Sequence, residues 1–143
     1  MSGFIQTYRG TVAPHECDHL GHMNVQYYVS CISDAAFSLM NEMGLGPRKI
    51  EELKLGIAAV QMDITYLSEI NNGAVIYMES AIGMIEGKKI VFLHRLTDAE
   101  SGTVAMKAKV LGLSMCLDDR RSLPLPDDVV EKAQKFLVDE SEW

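Results

Sequence analysis

The stretch that decides the fold precedes the longest apolar segment of the chain and reads HECDHLGHMNVQYY, residues 15–28. It places carboxylates, three histidines and an asparagine in one loop, next to the start of a helical pattern. A carboxylate beside a helix N-terminus can act as a base or a nucleophile, while backbone N–H groups of the helix polarise a carbonyl group. This combination suits acyl chemistry, so the stretch indicates an enzyme.

A long helix is predicted directly after this loop, over residues 25–43. Asn24 suits its N-cap position, and Gly44 followed by Gly46-Pro47 ends the pattern. Further apolar residues widen the apolar face, so most of the helix surface is expected to be buried. The apolar side chains that recur at helical spacing are Tyr28, Ile32, Ala35, Ala36, Leu39 and Met43.

Outside this helix, apolar and polar residues alternate with a period of two, which is typical of strands with one buried face. Short turns such as Asn71-Asn72-Gly73 separate successive strands and favour an antiparallel meander. The predicted strands are 7–13, 60–66, 75–85, 90–96 and 103–117, and a C-terminal helix is predicted over 127–138. These elements predict a single α+β domain, residues 1–143, whose sheet of about five strands wraps around the long central helix.

The last predicted strand, 103–117, is apolar on both faces in places. A strand of this kind is expected to be buried on both sides, and a second copy of the chain would cover the outer one. The protein is therefore predicted to be an oligomer whose sheets join edge to edge.

Composition and charge exclude several classes of function. The 143 residues are 48% hydrophobic, enough for one core, and no uncharged apolar run is long enough to span a membrane. The formal net charge of -7 disfavours nucleic acid as the main partner. The N-terminus lacks the basic and apolar regions of a secretory signal, and Cys17, Cys31 and Cys116 lack metal-ligand spacing. We therefore expect a soluble cytoplasmic protein with reduced thiols.

The motif Cys17-Asp18-x-x-Gly21-His22-Met23-Asn24-x-x-x-Tyr28, between a first strand and a long helix, resembles that of the hot-dog-fold acyl-CoA thioesterases. The most similar branch is the 4-hydroxybenzoyl-CoA thioesterase type, and the resemblance extends from Tyr8 to about Pro126. It implies a hot-dog fold, a dimer or dimer of dimers with active sites at the subunit interface, and hydrolysis of acyl-CoA without a cofactor. The segment 21–29 is also similar to thioesterase domains associated with carnitine and betaine metabolism, which implies a small polar acyl group.

The same resemblance assigns roles to the loop and the helix start. Asp18 matches the family's loop aspartate, which acts as general base on water or as nucleophile on the thioester carbon. The carbonyl-polarising backbone N–H falls near Val25, and Tyr28 matches a tyrosine that lines the pocket. Many relatives have two asparagines after His-Met, whereas this chain has Asn24-Val25, a departure that affects the pocket and leaves Asp18 in place.

The other residues of the loop have several open roles. His22 orients Asp18, touches substrate or hydrogen-bonds the loop backbone. Asn24 caps the helix, contacts substrate, or does both. A metal site built from His15, His19 and His22 is not expected, because these side chains would need a defined scaffold and a further ligand.

Substrate is expected to contact two further groups of residues. Tyr28, Met62 and Tyr66 are predicted to border the acyl pocket, because a tyrosine at the helix start can face the strand that follows the helix. Two tyrosines favour an aromatic or a cationic acyl head over a long alkyl chain. The paired cations of this acidic chain, Lys88, Lys89 and Arg120, are predicted to bind the phosphates of CoA.

Two alternatives to a thioesterase remain open from the sequence. A hot-dog hydratase would use an aspartate and a histidine, but those enzymes usually place the pair after the long helix has begun. A non-catalytic acyl-CoA sensor would share the fold, but a pure binder has no need of a carboxylate such as Asp18 beside the thioester.

Overall fold

The computed structural model describes residues 3–143, which form three α-helices and five strands. The helices are α1 (Val25–Glu42), α2 (Pro47–Leu53) and α3 (Asp127–Ala133), and the strands are β1 (Ile5–Thr11), β2 (Leu55–Tyr66), β3 (Val75–Glu86), β4 (Lys89–Asp98) and β5 (Val104–Cys116). None of the helices within residues 3–143 combines the length and apolar character that crossing a membrane requires.

Helix α1 follows the predicted range to within one residue. It begins after Asn24, whose side-chain Oδ1 accepts a hydrogen bond from the Gln26 N–H at 3.1 Å. It ends before Gly44, whose φ of 82° turns the chain in a conformation that a Cβ disfavours. Its burial is narrower than predicted, because Val29 and Phe37 remain 41% and 60% exposed. The buried face consists of Tyr28, Cys31, Ile32, Ala35, Leu39 and Met40.

The sheet is antiparallel throughout, and its strand order is β1-β3-β4-β5-β2. The predicted meander is correct for β3, β4 and β5 but wrong for β2, which pairs with β5 at the sheet edge instead of with β3. The segment 67–74 explains the difference, because it crosses the end of the sheet rather than folding back as a hairpin. Within it the Leu67 N–H bonds to the Ala105 carbonyl, and the Gly73 N–H bonds to the Val12 carbonyl beside β1.

Strand β2 begins five residues earlier than predicted, at Leu55, and helix α2 precedes it where no element was predicted. Pro47, which the sequence pattern indicates as a stop signal for α1, is also the first residue of α2, a position that suits proline. The predicted buried face of β2 is not buried within one protomer. Val60, Met62 and Tyr66 are 55%, 37% and 46% exposed, because β2 lies at the edge of the sheet.

The C-terminal helix is shorter than predicted. Helix α3 ends at Ala133, and the chain then tightens into one 3₁₀ turn and extends, so that Leu137 forms a bridge with Ile82 of β3. Beyond this point the tail lies on the face of the sheet opposite α1, where Trp143 Nε1 donates to the His94 carbonyl at 2.9 Å. On that face Leu111 of β5 packs with Val138 and Trp143, while Met106, Ala108 and Val110 pack into the core on the α1 side, so the tail covers part of the second apolar face of β5 within one protomer.

Candidate active site

The loop before α1 is a small hairpin that presents Asp18 at its tip. The Gly21 N–H bonds to the Asp18 carbonyl at 3.0 Å, and the Asp18 N–H bonds to the His22 carbonyl at 3.2 Å. Gly21 has a φ of 91°, which closes this turn without strain. The loop is held against the sheet end by the Met23 N–H, which bonds to the Ile70 carbonyl at 2.8 Å. The backbone around Asp18 is therefore fixed at both ends.

The carboxylate of Asp18 is partly exposed and accepts two hydrogen bonds. Its Oδ1 accepts from the Leu20 N–H at 2.9 Å, and its Oδ2 accepts from the Asn24 side-chain Nδ2 at 2.8 Å. These bonds lower the pKa of Asp18 from its ordinary value, and the bond from Asn24 has the larger effect. The nearby His22 and His19 act in the same direction. Asp18 is therefore ionised at neutral pH and can accept a proton or attack an electrophile.

Asn24 connects this carboxylate to the start of α1. Its Oδ1 is occupied by the Gln26 N–H, so its Nδ2 is the group that faces Asp18. The N–H of Val25, the first helical residue, makes none of the hydrogen bonds assigned among the described residues, and Val25 is 57% exposed. A free N–H at the positive end of the helix dipole is suited to polarise a carbonyl oxygen. Asn24, which precedes Val25 in the chain, thus holds the Asp18 carboxylate at the start of the helix.

A pocket of about 280 Å³ opens beside the helix start. The rings of Tyr28 and Tyr66 meet edge to face there, with centroids 5.0 Å apart and an interplanar angle of 84°. Burial is the main cause and the nearby Tyr66 a smaller one that together raise the pKa of Tyr28 to about 12, so its hydroxyl stays protonated. The pocket is lined by His22, Met23, Val25, Tyr28, Tyr66, Leu67, Ser68 and Glu69.

The structure brings most of the predicted substrate residues together but separates Met62 from them. Met62 lines a second, apolar groove of about 280 Å³ between α1 and β2, together with Val29, Phe37 and Val110. Met62 and Tyr66 share a face of β2, yet four residues along a strand span about 13 Å, which places them in different pockets.

The predicted CoA-binding cations lie at the opposite end of the sheet. Lys88 is in the turn before β4, and its carbonyl accepts a hydrogen bond from the Ser114 N–H. Arg120 lies four residues after the end of β5. Lys89 pairs with Leu113, whereas Tyr66 pairs with Met106 on the same strand. The seven residues between these two register positions correspond to about 23 Å. One protomer therefore does not bring Lys88, Lys89 or Arg120 to the Asp18 loop.

Four residues that line the pocket were not predicted as site residues, and they are Met23, Leu67, Ser68 and Glu69, of which only Glu69 is charged. Glu69 lies in the segment that crosses the sheet end, and its Oε1 is 3.7 Å from Nε2 of His22. The pairing of Met23 with Ile70 and of His22 with Asn71 brings it beside the helix start, and the local sequence around Glu69 gives no such signal. Among residues 3–143, no group of three or more His, Cys, Asp or Glu side chains is arranged to hold a metal ion.

Comparison with known proteins defines the class of this chain. Residues 12–133 match the model of the thioesterase-like superfamily, so the chain belongs to that family. The sequence-based prediction of a hot-dog-fold thioester hydrolase is confirmed at this level.

Individual relatives agree with this assignment. The chain is 24% identical over 134 residues to a betainyl-CoA thioesterase of Pseudomonas aeruginosa, covering 94% of this chain and 84% of that protein. A Staphylococcus aureus protein solved in complex with CoA superposes with a TM-score of 0.85 at 25% identity, over 92% of this chain and 84% of the other. A variant of 4-hydroxybenzoyl-CoA thioesterase in complex with 4-hydroxybenzoyl-CoA has a TM-score of 0.84 at 18% identity, over 92% and 99%, and shares the fold.

Proposed function

We propose that this protein is an acyl-CoA thioesterase that hydrolyses its substrate at the N-terminus of α1. The observation that carries the proposal is the chain of hydrogen bonds from Asp18 through the Asn24 amide to the Gln26 N–H. It fixes an ionised carboxylate beside the exposed start of a helix. Thioester hydrolysis needs these two groups, one to generate or supply the nucleophile and one to stabilise the oxyanion.

In the proposed reaction the thioester carbonyl oxygen accepts a hydrogen bond from the Val25 N–H, which stabilises the negative charge that develops there. Asp18 then acts by one of two routes. It takes a proton from water as the water oxygen attacks the carbonyl carbon, or it attacks that carbon itself and forms an anhydride that water hydrolyses. In either route the C–S bond breaks, CoA leaves as a thiolate and is protonated, and the acid is released.

We further propose that the acyl group is small and polar, of the carnitine- or betaine-related kind. The named betainyl-CoA thioesterase among the relatives supports this choice. The pocket is also small, at about 280 Å³, and the half-exposed ring of Tyr66, which packs on buried Tyr28, offers it aromatic surface. A quaternary ammonium group is attracted to such surface within about 6 Å of a ring centroid.

The working unit that we propose is a dimer, or a dimer of dimers, joined through the β2 edges. The free edge of β2 is 12 residues long, and exposed apolar side chains lie on it and on the adjacent surface of α1. An unpaired edge with apolar neighbours favours association with a second copy. Antiparallel pairing of two β2 strands would set the Tyr66 end of one copy beside the Leu55 end of the other. That arrangement would bring Lys88, Lys89 and Arg120 of one copy toward the site of the other, so their contact with CoA is proposed across the interface.

The proposal is tested by incubating the protein with a panel of acyl-CoAs and following the release of free thiol. The panel contains short, branched, aromatic, long-chain and trimethylammonium acyl groups. We expect turnover of the small polar thioesters. A stoichiometric complex without thiol release would favour the non-catalytic sensor instead, and hydrolysis of palmitoyl-CoA far above the short thioesters would contradict the proposed pocket.

Asp18→Asn is the decisive variant. The amide keeps the shape of the side chain but cannot take a proton or attack, so we expect normal folding and acyl-CoA binding with kcat lower by about 10²–10⁴. Asp98→Asn is a matched control, because Asp98 also accepts a hydrogen bond from the N–H two residues later, at 3.0 Å, but is the last residue of β4 and does not line the pocket. A folded Asp18→Asn protein that retains more than about a tenth of kcat would refute the role of Asp18.

A further inference from the structure

The pocket beside α1 carries a charge that the proposed chemistry does not use. Glu69 is the one carboxylate that lines it, and the remaining lining is aromatic, apolar or uncharged polar apart from His22. The side chain of Glu69 is 74% exposed, so its charge faces the solvent-filled opening rather than the core. A substrate head that enters the pocket beside Tyr66 therefore meets a negative charge at the same site.

The backbone holds Glu69 in place on both sides. Before it, the N–H groups of Leu67 and Ser68 both bond to the Ala105 carbonyl, at 2.8 and 3.2 Å. After it, the Ile70 carbonyl accepts from the Met23 N–H at 2.8 Å, directly beside the helix start. The carboxylate is thus attached to a fixed segment that is hydrogen-bonded to the loop bearing Asp18.

We infer that Glu69, acting with the exposed ring of Tyr66, selects a cationic acyl head, a quaternary ammonium being the chemical class that fits. The inference rests on the proposed thioesterase function and adds the specificity-determining residue to it. A quaternary ammonium group has no N–H to donate, so hydrogen-bonding side chains cannot recognise it. It is recognised by a diffuse negative charge and by aromatic faces, which are the two features of this pocket. The same carboxylate repels anionic acyl groups such as succinyl.

The competing explanation is that Glu69 serves only to hold His22, whose Nε2 lies 3.7 Å from Glu69 Oε1. A residue that acts through the loop would affect all thioesters alike, because every substrate uses the same Asp18 and helix start. A residue that recognises the charge of the acyl head would affect cationic substrates alone. The two roles are therefore separated by comparing substrates that differ in charge and not in shape.

Two thioesters make this comparison. Trimethylammonioacetyl-CoA and tert-butylacetyl-CoA have the same branched acyl group, with a positively charged nitrogen in the first where the second has carbon. The measured quantity is the ratio of kcat/KM for the cationic over the neutral thioester. Intrinsic reactivity also differs between the two compounds, but this difference cancels when the ratio of a variant is divided by that of the wild type.

For Glu69→Gln we expect the ratio to fall about twofold to fivefold, with kcat/KM for the neutral thioester nearly unchanged, as befits the loss of one largely solvated opposite charge. Tyr66→Leu should lower the ratio as well, whereas Tyr66→Phe, which keeps the ring face, should preserve most of it. Glu51→Gln is the matched control, because Glu51 is an exposed carboxylate of α2 that does not line the pocket. Its ratio should equal that of the wild type.

An unchanged ratio in Glu69→Gln, with both thioesters still hydrolysed, would overturn the inference and leave the proposed function standing. An equal loss on both thioesters would also overturn it and assign Glu69 to the positioning of His22. Failure of the wild type to hydrolyse any member of the acyl-CoA panel would refute the proposed function instead. In that case the same ratio is taken from Kd values of the two thioesters by calorimetry, and it decides the inference on binding alone.

Discussion

The stability of this protein should fall on mild acidification because of one buried histidine. His94 on β4 is fully buried on the α1 side of the sheet, where its Nδ1 lies 2.6 Å from the Ser80 hydroxyl. Ser80 in turn pairs with the Thr7 hydroxyl at 2.7 Å, and Nε2 of His94 has no hydrogen-bond partner within the described residues. Burial without a nearby carboxylate lowers the pKa of His94 from 6.5 to about 4.

The sign and size of the effect follow from this difference in pKa. Below pH 6.5 the unfolded chain binds a proton at His94 that the folded protein, with a pKa of about 4, does not bind. This contribution to stability is complete above the unfolded pKa, is lost as the pH falls from about 6.5 to about 4, and is absent below the folded pKa. In total it amounts to about 3 kcal/mol of the free energy of unfolding, of which about 2 kcal/mol is already lost at about pH 5.

The assay is urea denaturation at a fixed protein concentration between about pH 8 and pH 5, since association also contributes to the stability of an oligomer. His94→Gln keeps a group that can hydrogen-bond Ser80 but cannot titrate. Between about pH 8 and pH 5 its free energy of unfolding should therefore fall by about 2 kcal/mol less than that of the wild type. His19→Gln, at an exposed loop position, is the control and should keep the wild-type dependence. If His94→Gln shows the same pH dependence as the wild type, the claim that His94 is buried in its neutral form is wrong.

Three further results are expected. Asn24→Ala should lower the free energy of unfolding by about 1 kcal/mol through loss of the helix cap. It should also raise the pKa of Asp18, so that kcat/KM begins to fall at a higher pH on acidification. Asn24→Ser should restore the stability but not the pH dependence of kcat/KM. Met62→Lys should disrupt the proposed β2 interface and lower the molar mass measured by light scattering. Leu53→Lys, on α2, is the control and should not lower it. A wild type that is an active monomer would contradict the proposed dimer. Lys88→Glu should raise KM for CoA thioesters at low salt more than it lowers kcat, and an unchanged KM would remove Lys88 from the site.

The sequence predicted those parts of the structure that local patterns determine. Helix α1 was correct to one residue because its apolar spacing and its N-cap Asn24 are both local signals. The placing of Asp18 in a loop next to the helix start was predicted for the same reason, since Asp18 and Asn24 lie within seven consecutive residues, whereas the hydrogen bond between them was not predicted. Periodicity also identified the strands, although not all of their ends.

The parts that were missed depend on contacts between distant segments. The pairing of β2 with β5 joins Tyr66 to Met106, forty residues later, and nothing in an alternating pattern specifies that partner. For the same reason Glu69 was overlooked, because only the crossing of segment 67–74 places it beside His22. Lys88 and Arg120 were predicted to bind CoA because paired cations are few in this acidic chain. That property carries no information about which end of the sheet they occupy.

Asn24 shows why the motif requires a particular residue type rather than a generic cap. Serine or threonine can accept from the Gln26 N–H, but neither has a second, separately directed group to donate to Asp18. Aspartate also caps a helix well, yet it would set a second negative charge against Asp18, raise the pKa of the pair and weaken ionisation at neutral pH. An asparagine offers an acceptor to the helix and a donor to the carboxylate at once, as the two hydrogen bonds of 3.1 and 2.8 Å show. The residue that starts the helix therefore also fixes the carboxylate, and substitution at this position should uncouple folding from chemistry.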